Sequence, residues 1–269
     1  MVSLGIILFY LIVAILAPQI APYDPMVTIY TSDGDVVRMQ PPSMEHWFGT
    51  NRMGRDIFSQ VVWGTRVALV IGVFSAIIVV LIGLNVGLIS GYFGGMTDNV
   101  LMRLTDLTYG LPYLPFAIVL VTLLGTGIDK IIIVIAVGLW PNTARVIRSQ
   151  VLSLKQRAFI DAARVTGLSH SRIIYFHIAP NVLPIAFVYI PLTMGIAITT
   201  EAGLSFLGYG DGELMSWGRT LHEVWIAQAV YQAWWWTVFP GLAILGLVLA
   251  GFMIGRAFEQ VVNPKLRQR

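Results

Sequence analysis

Four long stretches of this chain contain no Asp, Glu, Lys or Arg, and they constrain its fold more than any other feature. The stretches cover residues 67–97, 107–128, 178–200 and 224–255. An α-helix needs roughly 20 apolar residues to cross the hydrocarbon core of a bilayer, where it satisfies its own backbone hydrogen bonds without water. Each stretch can supply such a helix, so the pattern predicts a chain that crosses a membrane several times.

The composition supports a membrane protein. Of the 269 residues, 57% are hydrophobic and 12% are charged, whereas soluble domains carry about 25% charged residues. The chain has no cysteine, which excludes a disulfide framework and a Cys-ligated metal site. We therefore expect an all-α polytopic membrane protein.

Six segments are long and apolar enough to be transmembrane helices. We place them near residues 2–20, 67–92, 100–124, 127–147, 181–206 and 235–256. The first segment has the position of a cleaved signal peptide, but it lacks a basic start and its apolar stretch is long, so a retained helix is favoured. The core of the chain then comprises the five helices within 67–256.

The distribution of Lys and Arg predicts the orientation. The connection between the fourth and fifth helices contains one acidic residue, Asp161, and a set of basic ones: Arg145, Arg148, Lys155, Arg157, Arg164 and Arg172. The tail at 257–269 is basic as well. Because basic connections stay in the cytoplasm, both termini are expected there, and the loops 21–66 and 207–234 are expected outside.

The connection between the fourth and fifth helices is itself patterned as a helix, a turn and a second helix. Apolar residues recur every three or four positions over 151–166, which is typical of an amphipathic helix. Gly167 follows as a stop, and Ser169 can cap a second short helix that ends at Pro180. Small residues at the turn would let another protein approach closely, although a helix lying on the membrane surface is the alternative.

This connection resembles the EAA signature of membrane subunits of ABC importers. The resemblance lies in Asp161-Ala162-Ala163, Gly167 and Pro180, with Asp161 in place of the usual Glu, His177 in place of a hydrophobic residue and Ala179 in place of Leu. Further segments resemble the C-type permease of the peptide/nickel branch: 48–56, 64–66, 91–95, 204–208, 216–218 and 239–243. The resemblance runs from about 20 to 267, and residues 27–43 look like an insertion.

The resemblance implies a division of labour between subunits. It implies a coupling helix at about 158–176 that docks on an ATPase subunit through Asp161, Ala162, Ala163, Arg164, Gly167, Leu168 and Ser169. The expected partners are a homologous permease, two ATP-binding subunits that hold ATP and Mg, an extracytoplasmic solute-binding protein, and the lipid of a prokaryotic inner membrane. None of the three lysines, Lys130, Lys155 and Lys265, follows a glycine, so the chain has no P-loop and is not expected to be an enzyme or to hold a cofactor.

Three residues are candidates for the translocation path: Asp106, Glu201 and Trp217. Charged groups at membrane depth are costly unless they are paired or face water. Glu201 either lines the path or, as we favour, holds helix ends together through the backbone or Arg219. Asp106 is expected to pair with Arg103 one helical turn away.

Two prolines and the last external loop predict local structure. Pro112 and Pro115 are expected to kink the third helix. The loop 207–234, with Trp217, is expected to form a re-entrant or interfacial helical hairpin. The acidic balance of both external loops suits partner recognition, with a solvated surface as the simpler interpretation.

Other functions are less well supported by the sequence. The four histidines do not have metal-ligand spacing, so no metal site is expected. A secondary transporter or channel would need charged residues near the middle of several helices, and Asp106 and Glu201 both lie towards helix ends. The leading hypothesis is an ATP-driven importer of di- or oligopeptides, with oligosaccharides and nickel chelates as alternative substrates.

Overall fold

The fold is a bundle of long helices, known from a computed structural model that describes residues 2–262. Within these residues the only β-structure consists of two isolated bridges, Tyr30 with Val36 and Thr50 with Asp56. The basic residues at 263–269, on which the orientation of the tail was partly based, lie outside the described residues.

Eleven helices follow one another along the described chain. They are α1 (Val2–Ile15), α2 (Ala17–Ile20), α3 (Ile57–Phe93), α4 (Gly95–Gly110), α5 (Tyr113–Leu124), α6 (Ile128–Leu154), α7 (Ala158–Val165), α8 (His170–Arg172), α9 (Ala179–Phe206), α10 (Trp217–Ile226) and α11 (Trp234–Val262). A π-helical stretch, Ile173–Ile178, joins α8 to α9.

Four of these helical segments are long and apolar enough to cross a membrane, and a fifth crossing results if α4 and α5 count together. The four are α3, α6, α11 and the continuous segment His170–Phe206. The apolar helix α1 has only 14 residues, fewer than the roughly 20 that a bilayer core requires. The structure therefore gives four or five candidate spans where the sequence predicts six.

Helices α3 and α6 pack closely along a stripe of glycines. A Cβ added at Gly83 would lie 2.5 Å from Thr143 Cβ, one at Gly87 would lie 2.7 Å from the Ala144 carbonyl oxygen, and one at Gly91 would lie 2.7 Å from Val151 Cβ. Small residues repeated every four positions let helix backbones approach one another in membranes. This pair forms the centre of the bundle.

The third predicted helix, 100–124, is broken rather than kinked. Helices α4 and α5 meet at an angle of 94°, and Leu111 between them is extended, with φ −84° and ψ 134°. A proline disfavours helical geometry in the residue before it and offers no N–H. Pro112 thus ends α4, and the two helices form an elbow at residues 110–113, named here the α4–α5 elbow.

The predicted second helix of the connection does not end at Pro180. Pro180 instead lies in the first turn of α9, directly after the π-helical stretch Ile173–Ile178. The π-helical stretch just before it widens the backbone, so the chain passes from α8 into α9 without a break.

The end of the bundle near the start of α3 is built from irregular chain. Helix α3 starts at Ile57, ten residues before the span predicted at 67, because Asp56 accepts a hydrogen bond from the Ser59 backbone N–H at 2.7 Å and caps the helix. Asp56 also bonds the buried His46 at 3.1 Å. In the loop 207–234 the expected hairpin is wrong, since a single helix, α10, forms there.

Candidate docking site

Helix α7 has one face buried in this chain and one face open. Ile160 is 0% exposed and Ala163 is 6% exposed, whereas Asp161, Ala162 and Arg164 are exposed. The apolar positions at 160 and 163 lie on one side of the helix because they are three residues apart. The helix therefore presents its acidic, small and basic residues away from the bundle.

The turn after α7 has the geometry that the sequence predicts. Gly167 adopts φ +77°, a left-handed conformation that costs glycine less than any other residue. Ser169 then accepts a hydrogen bond from the Arg172 backbone N–H at 3.4 Å and caps α8. The turn at Gly167 and the cap at Ser169 form as predicted, whereas the helices differ in extent: residues 151–154 belong to α6, α7 begins only at Ala158, and α8 has three residues.

Polar contacts with the end of α3 fix the position of α7. The Tyr92 hydroxyl and His170 Nδ1 are hydrogen-bonded at 2.9 Å, and the Arg164 guanidinium carbon lies 5.8 Å from the centre of the Tyr92 ring. Lys155 Nζ donates to the Gly91 carbonyl at 2.9 Å. Both connecting segments of α7 are thereby attached to α3.

An apolar cluster joins α7 to three long helices. Ile160 and Ala163 pack with buried residues of α3, α6, the π-helical stretch and the start of α9: Leu88, Tyr92, Ile147, Val151, Ile173, Ile178 and Val182. Protein interiors are close-packed and transmit displacement rather than absorb it. The buried face of α7 thus belongs to the same apolar cluster as residues of α3, α6 and α9.

The seven residues expected at the docking surface do not all face outwards. Exposed residues are Asp161, Ala162, Arg164, Gly167 and Ser169. Ala163, by contrast, is buried, and Leu168 is half-buried against the apolar cluster. The helical repeat explains this difference, since positions 160 and 163 share the inner face. The open surface, named here the α7 face, consists of Asp161, Ala162, Arg164, Val165, Gly167 and Ser169.

The acidic path candidates make contacts other than those expected. Asp106 accepts from Arg145 at 2.7 Å, so the expected pair with Arg103 is wrong. Arg145 projects from α6 and reaches Asp106 because α4 packs beside that helix. Glu201 is 2% exposed and accepts from the Ser205 hydroxyl at 2.6 Å, while Arg219 bonds Glu223 instead.

Trp217 is the third path candidate, and it lies in the core. It is 1% exposed, and its indole N–H donates to the Val61 carbonyl at 2.9 Å. In this chain, Trp217 therefore holds α10 against α3.

Two structural features were missed by the sequence analysis. The glycine repeat 83, 87, 91 was visible as a spacing of four and could have identified the α3–α6 contact. The ion pair in which Arg148 holds both carboxylate oxygens of Asp98 at 2.6 Å joins residues 50 positions apart, and no local pattern reveals it. Within residues 2–262 no group of three or more His, Asp or Glu residues could hold a metal ion.

The chain resembles known proteins in both sequence and fold. Residues 83–268 match the family model of the binding-protein-dependent transport system inner membrane component, and residues 1–42 match the N-terminal TM domain of oligopeptide transport permease C. The chain is 36% identical to the dipeptide transport system permease protein DppC of Alkalihalophilus pseudofirmus, over 99% of this chain and 86% of that protein.

Two further relatives agree with this match. The oligopeptide transport system permease protein OppC of Bacillus subtilis is 37% identical, over 100% of this chain and 86% of that protein. The glutathione transport system permease protein GsiD of Escherichia coli is 37% identical, over 97% and 84%.

In fold, the chain is similar to a structure of the inward-facing MetNI methionine ABC transporter, with a TM-score of 0.59, 19% identity and coverage of 77% of this chain and 97% of that one. The helical bundle, its candidate spans and these matches lead to one conclusion. The chain belongs to the family of inner membrane components of binding-protein-dependent transport systems.

Proposed function

We propose that this chain is one of two membrane subunits of an ATP-driven peptide importer, and that the α7 face is where an ATP-binding subunit docks. The observation that carries the proposal is a short helix with two distinct faces. Its inner face packs into the cluster shared by α3, α6 and α9, and its outer face is exposed and contains a small residue, Ala162.

The proposed orientation follows from the basic residues around α7. The set Arg145, Arg148, Lys155, Arg157, Arg164 and Arg172 runs from the second half of α6 to α8, and basic segments remain cytoplasmic. The α7 face is then in the cytoplasm, and α10 and the loop before α3 are outside. With α1 and α2 as one crossing and α4 and α5 as another, the chain has six spans and both termini in the cytoplasm.

The proposed substrate class is peptides. The relatives described above are named for dipeptide, oligopeptide and glutathione transport, and all three substrates are short peptides. This favours peptides over the oligosaccharides and nickel chelates that the sequence left open.

The proposed mechanism transmits movement rather than performing chemistry. ATP and Mg bind in the two ATP-binding subunits, whose closure displaces α7. The close packing around Ile160 carries that displacement into α3, α6 and α9. The access of the translocation path then changes from the side of the external binding protein to the cytoplasm, with a homologous permease forming the other half of the path.

A substitution on the α7 face tests the docking proposal. Ala162→Arg places a long charged side chain on the exposed surface without entering the core of this chain. We expect it to abolish co-purification of the ATP-binding subunit and ATP-dependent peptide uptake into proteoliposomes, while the permease pair remains folded.

The matched control is Ala257→Arg, which adds the same side chain at an exposed position of α11. That variant is expected to keep the ATP-binding subunit and uptake. Normal assembly and uptake with Ala162→Arg, or equal losses in both variants, would refute docking at α7. Uptake driven by an ion gradient without ATP would support the secondary transporter instead.

A further inference from the structure

The α4–α5 elbow and α6 border an open cavity whose wall is mostly apolar and includes a few polar groups. The cavity has a volume of about 280 Å³, and the residues around it come from the elbow, from α6 and, through Ile196, from α9. Among them are Tyr109 at the end of α4 and Asn142 in α6. Small-molecule sites usually measure about 300–1,000 Å³, so this cavity has room for a short piece of a larger ligand.

The cavity lies beside the middle of α6, one of the candidate spans. Asn142 follows Pro141, the midpoint of α6, and its side chain is exposed in this chain. An exposed amide cannot hydrogen-bond to acyl chains, so polar residues at this depth face water or another polar surface. A cavity that opened onto lipid would leave the Asn142 amide without a hydrogen-bond partner.

The interrupted backbone of the elbow also requires polar surroundings. Leu111 and Pro112 interrupt the helix, and the last carbonyls of α4 have no following helical turn to bond them. Non-helical backbone at membrane depth is stable only where protein covers it or where it lines a water-filled cavity. Leu111 is 48% exposed, so protein of this chain does not cover the elbow.

The polar side chains that border the cavity are neutral hydrogen-bonding groups. Tyr109 is 58% exposed, and Asn142 offers both an amide donor and a carbonyl acceptor. The charges nearby compensate each other, because Arg145 bonds Asp106 at 2.7 Å and lies 4.5 Å from the Tyr109 ring centre. The site thus offers hydrogen bonds without net charge.

We propose that the elbow cavity is a subsite for the main chain of the transported peptide, with Asn142 and Tyr109 as its contacts. This inference rests on the proposed function. Main-chain amides are neutral donors and acceptors common to all peptides, and they match what the cavity offers. A site of this kind accepts peptides with different side chains.

Tyr113 positions the elbow against α6. A Cβ added at Gly138 would lie 2.8 Å from Tyr113 Cδ2, so the ring packs directly on the α6 backbone. Its hydroxyl is buried close to Thr200. Tyr113 borders the cavity as well, and its packing on α6 makes it a positioning residue.

The test uses the complete transporter in proteoliposomes with two labelled probes. One probe is trialanine, and the other is its analogue in which the amide between the second and third residues is replaced by an ester, which lacks an N–H and has a weaker carbonyl acceptor. The binding protein contributes equally to the preference between the probes in every variant. A change in the ratio of the two uptake rates between variants therefore reports contacts in the membrane subunit alone.

We expect Asn142→Ala to reduce the preference for the amide roughly fivefold, the effect of losing one buried hydrogen bond. Tyr109→Phe removes only a hydroxyl and keeps the ring near Arg145, so it provides a second test should Asn142→Ala assemble poorly. Asn99→Ala is the matched control, because Asn99 is exposed on α4 and does not border the cavity. That variant is expected to keep the wild-type ratio.

Failure of the subsite and failure of peptide import give different results. Uptake of both probes with the wild-type ratio in Asn142→Ala and Tyr109→Phe would overturn the subsite while leaving peptide import intact. A wild-type complex that hydrolyses ATP and takes up neither probe would overturn peptide import itself.

Discussion

Two neighbouring helix pairs in this bundle are built in opposite ways. Helices α3 and α6 run side by side with glycines at 83, 87 and 91 in contact with the α6 backbone and side chains. Helices α4 and α5, in contrast, are separated by a 94° bend. Exposed apolar residues line both sides of that bend, among them Leu107, Leu114 and Val119.

The difference separates a rigid part of the molecule from an adaptable one. Close backbone contact along α3 and α6 leaves no space for sliding, so this pair can carry the displacement of α7 through the membrane. The elbow depends on fewer fixed contacts, the packing of Tyr113 on α6 among them, because its neighbouring ion pair is exposed and its backbone is interrupted. We expect substitutions in the α3–α6 contact to cost folding stability and substitutions at the elbow to change transport.

The largest effect is expected from Gly87→Ala. The added Cβ would lie 2.7 Å from both the Ala144 carbonyl oxygen and Ile147 Cβ, and backbone cannot move aside as a side chain can. Overpacking of this kind costs about 1–3 kcal/mol. The measurement is the thermal unfolding midpoint of the purified permease pair in detergent, which should fall clearly.

Gly241→Ala is the control, since a Cβ at Gly241 in α11 meets nothing within 4 Å. It should leave the midpoint unchanged or raise it slightly, because alanine favours the helix. Equal stability of the two variants would mean that the α3–α6 contact is not the rigid part of the bundle.

A smaller effect is expected from Asp106→Asn beside the elbow. The carboxylate of Asp106 and the guanidinium of Arg145 are 60% and 42% exposed, and exposed ion pairs contribute about 0–1 kcal/mol. Asp98→Asn, in the same helix, should cost more, because Asp98 is 14% exposed and accepts two hydrogen bonds from Arg148. The measurement is the thermal unfolding midpoint of each of the two variants at low and at high salt.

High salt should reduce the fall in unfolding midpoint caused by Asp106→Asn and leave most of the fall caused by Asp98→Asn, since screening acts mainly on exposed charges. A larger loss at Asp106 than at Asp98 would show that the elbow is fixed more firmly than its exposure indicates.

The sequence predicted well what is decided locally. The stop at Gly167 and the cap at Ser169 depend on residues within one turn, and both formed as expected. The membrane class and the helices near 67–92, 127–147 and 181–206 depend on long apolar runs, which no soluble fold could bury. The family resemblance was carried by Asp161, Ala162 and Gly167, and the comparisons confirm it.

What the sequence could not give depends on the packing of distant segments. A proline pattern does not distinguish a kink from a 94° break. The angle at Pro112 also depends on how the Tyr113 ring packs against Gly138 of α6. The partner of Asp106 lies 39 residues away in Arg145, so spacing along α4 suggested Arg103 instead. Ala163 was expected on the exposed face because its small size suits a docking surface. The same small size lets it pack on the inner face of α7, in the apolar cluster.

Cross-linking from the α7 face tests the central claim most directly. The chain has no cysteine, so Ala162→Cys and Asp33→Cys each provide a single site for a benzophenone maleimide, on α7 and on the exposed loop at the other end of the bundle. After illumination of the complete transporter, mass spectrometry identifies the protein attached to each site. Docking at α7 predicts an adduct of position 162 with an ATP-binding subunit and none from position 33. An ATP-binding subunit attached to position 33, or only lipid attached to position 162, would contradict it.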